Sequence, residues 1–205
     1  LMDGGCYGRL ESIVPPITVP AWMCMSTSRD PGSLGVYGFR NRLNYTYDAL
    51  GIVDSRSVRG LAVWDQVACE GNRANIVAVP PNYPPRKVNG VSVGCFLTPD
   101  ATRNVFTHPA TVGAEIADLV GPYAVDVHGF RTENKRWLKE EIYKMSRQHF
   151  DVVRHLMRQT EWDYLQMVEI GLDRIQHGFW KHHDPHHRQH EPGSEFADVI
   201  RDYYL

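Results

Sequence analysis

Two helix-then-strand units constrain the fold of this 205-residue chain more than any other feature. In the first, Val58, Leu61, Ala62, Trp64, Asp65 and Ala68 recur with helical spacing, Glu70-Gly71-Asn72 ends the helix on a glycine, and Asn75-Ile76-Val77-Ala78-Val79 follows as a continuous apolar run. In the second, a helix over 133–159 carries Trp137, Leu138, Ile142, Met145, Phe150, Val153, Leu156 and Met157 on one face, and residues 162–172 follow as a core strand. Strands that are apolar on both faces belong between helices in a parallel sheet. The expected class is therefore α/β, with a mostly parallel central sheet flanked by helices.

Residues 8–14 are short and apolar enough for a strand, and Pro15-Pro16-Ile17-Thr18-Val19-Pro20 leads from it into a helix over 21–28, which places Thr18 just ahead of a helix N-terminus. Residues 29–33 form a turn and residues 35–47 an irregular surface segment. The prolines of 80–85 force an extended loop; 88–97 is strand-like, 109–119 helical and 123–127 another short strand.

Charge and composition exclude some functions. A net charge of -2 and 22% charged residues leave no basic footprint, so a nucleic acid polymer is not an expected partner. No apolar run approaches the roughly 20 residues that span a bilayer, and no signal peptide opens the chain. Cys6, Cys24, Cys69 and Cys95 form no Cys-x-x-Cys pair, and three of them sit in apolar surroundings, which is read as buried free thiols and a cytoplasmic setting. The chain opens on Leu1 without a start and stops at Leu205 inside an amphipathic pattern, so residues 1–205 are read as one partial catalytic domain of a longer polypeptide.

Chemistry concentrates in LDRIQHGFWKHHDPHHRQH, residues 172–190, which holds six of the ten histidines. Asp173 and His177 stand at i and i+4, so a helix would project both from one face. One carboxylate oxygen with one imidazole nitrogen suits zinc or manganese, although an exposed helical ion pair uses the same spacing. The position of Asp173 at the C-terminal end of a buried strand favours the metal, because ligands in open α/β sheets bind there. His182, His183, His186, His187 and His190 surround Asp184-Pro185 and are expected in an exposed loop. Thr18 is either an N-capping residue or a nucleophile activated by a cation and backed by a helix N-terminus. Arg40 and Asn41 are candidate donors to an oxyanion, with plain surface solvation as the alternative. No Walker-type loop or G-x-S-x-G elbow is present.

Taken in order, Pro15-Pro16-Ile17-Thr18-Val19-Pro20-Ala21-Trp22, then Gly35, then Gly171-Leu172-Asp173-Arg174-Ile175-Gln176-His177 resemble the type I phosphodiesterase/nucleotide pyrophosphatase family of the alkaline phosphatase superfamily. The resemblance covers nearly the whole chain. It implies a phosphohydrolase of small phosphate esters or phosphodiesters with two divalent metal ions, zinc or alternatively manganese. Thr18 matches the nucleophile, which sits at the metal pair, and Asp173 and His177 match two ligands of one metal. The family's remaining ligands, an early aspartate, a later Asp-His pair and a distant histidine, are expected before Leu1 and after Leu205. Where many members carry a phosphate-binding asparagine this chain has Phe39, with Asn41 two residues on. A non-catalytic module of the same fold, or a related mutase, sulfatase or phosphonate hydrolase, is the alternative.

Overall fold

The computed structural model describes residues 2–205. In chain order its elements are α1 (Thr18–Thr27), α2 (Pro31–Leu34), β1 (Arg40–Arg42), β2 (Leu50–Ile52), α3 (Val63–Cys69), β3 (Ala74–Val77), β4 (Ser92–Val93), β5 (Thr107–His108), α4 (Val112–Val120), α5 (Lys135–Gln159), β6 (Tyr164–Met167), α6 (Gly171–His183) and α7 (Val199–Tyr204).

The central sheet runs in the order β5-β4-β3-β6. β3 pairs parallel with both β4 and β6, and only the β4–β5 pair is antiparallel. The chain thus forms the expected α/β fold with a mainly parallel sheet. β3 lies inside the sheet because every one of its residues is buried, so its two faces can only meet helices. On one side Ile76 joins Trp64 of α3 and Met23 of α1. On the other, Val77 joins Ile116 of α4 and Leu156 of α5. A third cluster unites Leu138, Ile142 and Met145 of α5 with Ile175 and Phe179 of α6 and Ile200 of α7.

Several expected elements differ. Residues 8–14 form no strand and are largely exposed. Residues 123–127 form none either, although Tyr123, Val125 and Val127 are buried. There the backbone is satisfied by side chains instead of a ladder: Gln148 Oε1 accepts from Ala124 N–H at 3.1 Å, and His149 Nε2 lies 2.7 Å from the Ala124 carbonyl. The strand expected over 88–97 contracts to Ser92–Val93. The helix expected from residue 57 is a 3-10 turn (Ser55–Ser57) followed by α3, whose start is set where Asp65 Oδ2 accepts from Ala62 N–H at 2.8 Å. The turn over 29–33 closes into α2, capped by Asp30 through Ser33 N–H at 3.0 Å. The irregular segment contains β1, which pairs antiparallel with β2 as a small separate hairpin. All four cysteines are free, as expected, but only Cys24 and Cys95 are buried.

His149 is fully buried on α5. Desolvation pushes its pKa below the ordinary 6.5, against the bond to Ala124 and the charges of Glu169 and Asp126. A second proton would place a charged, unpartnered Nδ1 in the core. Because the folded value lies below the unfolded one, the unfolded chain binds the proton first as pH falls. The contribution of His149 to stability is therefore complete above about pH 6.5 and is lost as pH drops through the lowered native value. Denaturant unfolding at about pH 7.5 and about pH 5 checks this, and the decline is expected to shrink in His149→Leu.

Candidate active site

β6 runs parallel to β3, and the chain leaves its C-terminal end through Val168 and Glu169 into α6. Glu169 fixes where α6 begins. Its carboxylate accepts from the first two N–H groups of the helix, Gly171 at 2.8 Å and Leu172 at 2.9 Å, and also from Ser146 Oγ and Tyr203 Oη, each at 3.0 Å. The acid thus caps the orphan donors of the helix and ties α6 to α5 and α7. Burial, together with the Glu169 charge and against the Ser146 bond, pushes the Tyr203 hydroxyl pKa well up, so this tyrosine stays a neutral donor. Gly171 makes the knot possible, because a Cβ there would collide with Tyr203 Oη, Ser146 Oγ and Glu169 Oε1.

With its start fixed, α6 buries Ile175 and Phe179 and turns Asp173 and His177 outward. Asp173 Oδ1 lies 3.6 Å from His177 Nε2 on this face. The pair stands on one helix face as the i, i+4 spacing predicts. Asp173 is also held from behind: Arg174 reaches its Oδ2 and simultaneously forks Asp126, Nε to Oδ1 at 2.7 Å and the terminal nitrogen to Oδ2 at 2.8 Å. The Arg174 side chain is buried, and its guanidinium lies over the Phe130 ring at 4.2 Å. Burial works against its charge, but the bonds to Asp126 and Asp173 outweigh it and raise its pKa. Glu169, Arg174 and Asp126 are absent from the candidates read off the sequence. For Arg174 the available signal was an arginine beside Ile175 on a helix with a buried face.

Thr18 is the first residue of α1, with Ile17 at the N-cap and no side chain capping the helix, so Thr18 does not serve as the capping residue. Its side chain is half-buried. A cleft of about 350 Å³ is lined by Thr18, Trp22, Glu169, Leu172, Asp173 and Gln176. An adjoining cleft of about 380 Å³ is lined by Asp173, Gln176, His177, Trp180 and His187. Asp173 and Gln176 line both clefts, and Thr18 and Asp173, 155 positions apart in sequence, face the first of them together.

A family model for type I phosphodiesterase / nucleotide pyrophosphatase matches residues 1–201. The chain belongs to this family. No curated protein and no solved structure matches it. Family membership makes phosphate-ester hydrolysis the general activity, with small phosphate esters as substrates. No helix among the described residues is long and apolar enough to cross a membrane.

Within this phosphodiesterase-family chain the candidates Arg40 and Asn41 line neither cleft. Asn41 sits in β1 and donates from Nδ2 to the Gly35 carbonyl at 2.7 Å, and Arg40 beside it is exposed. The histidine run is not the uniform exposed loop that was expected. His182 and His183 belong to the last turn of α6, and His182 is buried among Phe179 and Phe196. Its Nδ1 lies 2.9 Å from Ser194 Oγ and 3.2 Å from Glu191 Oε2. Desolvation pushes the His182 pKa down despite the Glu191 charge. The following strap returns to α6 through Glu191, whose Oε1 lies 2.7 Å from Lys181 Nζ. Only His187 of the run reaches the recess beside Asp173 and His177.

Proposed function

We propose that the chain is the threonine-nucleophile, divalent-metal part of a phosphodiesterase-type hydrolase. The observation that carries this reading is the cleft that Thr18 shares with Asp173, with His177 lining the neighbouring cleft on the same helix face as Asp173. Among the described residues no group of three or more His, Cys, Asp or Glu side chains is arranged around one point, so Asp173 Oδ1 and His177 Nε2 supply two donors of a larger set. A hard oxygen beside an imidazole nitrogen, both with exposed surface, fits zinc or manganese. Such a cation supplies Lewis acidity at a phosphoryl oxygen and eases loss of the proton from a hydroxyl.

The chain's own groups do the rest. Thr18 Oγ1 gives up its proton and attacks phosphorus in line with the leaving oxygen; the phosphothreonine ester forms as the bond to the leaving alcohol breaks and that alcohol is released, and water then hydrolyses the ester to return the hydroxyl. The N–H groups of Thr18 and Val19 are the first of α1 and have no acceptor within the helix, which leaves them as donors for an anion at this helix end. Asp173 and His177 would hold the cation, and Glu169, with its four hydrogen bonds, keeps their helix in place without serving as a metal ligand itself.

The test uses the untagged full-length protein. It is expected to contain zinc or manganese, to cleave a p-nitrophenyl phosphodiester, and to lose that activity on chelation. Metal-free protein that turned over the ester at an undiminished rate would overturn the reading. So would a purified protein that held no metal and cleaved nothing after zinc or manganese was added.

A further inference from the structure

The two oxygens of Asp173 are not equivalent. Oδ1 faces His177 Nε2 at 3.6 Å, while Oδ2 is taken by the guanidinium of Arg174. That guanidinium is held on its other sides as well. Asp126, on the buried segment before Phe130, grips it with both oxygens at 2.7 and 2.8 Å, and the rings of Phe130 and Phe96 lie 4.2 and 5.6 Å from its central carbon. The planar fork of arginine is the geometry that can grip one carboxylate bidentately and still present a third N–H to another; a lysine has no such fork.

We propose that Arg174, anchored by Asp126, is a positioning residue that occupies Asp173 Oδ2 and commits Asp173 to binding its cation through Oδ1 alone. The inference rests on the metal reading given above and adds the denticity of one ligand and the two residues that set it. A carboxylate restricted to one oxygen keeps the coordination number low, whereas a freed one can chelate with both oxygens.

The experiment is titration of cobalt(II) into the metal-stripped full-length protein, following the visible absorption per bound cobalt, which falls as coordination number rises. Arg174→Lys and Asp126→Asn are expected to weaken cobalt binding at this site by about 10–100-fold and to lower its visible absorption. The parent spectrum should persist in Lys181→Gln, a charge change on the same helix at a residue paired with Glu133 and Glu191 instead of Asp126. His177→Ala is expected to remove one cobalt equivalent. If Arg174→Lys lowers the folded yield, Asp126→Asn, which keeps the shape of the pair, gives the same reading. Parental affinity and spectrum in the folded Arg174 and Asp126 variants, with one equivalent still lost in His177→Ala, would overturn the positioning role and leave the metal site standing. Full stoichiometry in His177→Ala would overturn the metal site itself and the positioning role with it.

Discussion

In the full-length protein, Thr18→Ala is expected to lower kcat for a p-nitrophenyl phosphodiester by about three orders of magnitude or more. The hydroxyl proposed to form the covalent intermediate is gone, and nothing else on the first turn of α1 replaces it, since Val19 and Pro20 carry no nucleophile. The fold should barely register the change. Thr18 starts its helix without capping it and its side chain is only half-buried, so the stability change is expected within about 1 kcal/mol. Thr18→Ser, which keeps the hydroxyl, should retain turnover that Thr18→Ala lacks. Steady-state kinetics with a melting curve for each variant separates the two effects, and an undiminished kcat in Thr18→Ala would remove Thr18 from the mechanism.

Phe179→Ala is expected to cost about 3–5 kcal/mol of stability, which for a chain of this size lowers Tm on the order of 10 °C. Phe179 is fully buried, two residues after His177 on the opposite face of α6, and packs on Phe196 at 5.7 Å between ring centroids. Its ring pins α6 to α5 and α7 within one cluster, so truncation leaves a cavity that the surrounding helices cannot close. Metal affinity should fall as well, because the helix that carries Asp173 and His177 loses its inner contact. Thermal unfolding and a zinc titration on the same preparation check both. A loss below about 1 kcal/mol would mean that the Glu169 knot, rather than this packing, holds the helix.

The parts of this structure that were legible in the sequence depend on short-range periodicity. The i, i+4 spacing of Asp173 and His177 is a property of one helix, and the buried strand at Ile76 and Val77 follows from its composition. The parts that were not legible depend on partners far along the chain. Arg174 and Asp126 are separated by 48 residues, and only the tertiary fold brings one to the other. Residues 123–127 have the apolar composition of a strand, yet Gln148 and His149 of α5 take the hydrogen bonds a neighbouring strand would have made. His182 sits among polar residues that look like a loop, and its burial is decided by Phe179 and Phe196 and by the returning Glu191 and Ser194. Thr18 and Asp173 were associated by motif order alone; the cleft they share forms where α1 packs with Val168, in the link from β6 to α6.

β6 has a ladder partner on one side only, β3, so among the described residues the N–H and C=O groups along its other side meet no strand. An open edge of this kind accepts any extended segment that can match its register, from the same polypeptide or from a neighbour. Tyr164, Leu165 and Met167 stand half-covered along it. The edge is thus a template for self-association, which should rise with protein concentration and fall when an extended segment covers β6.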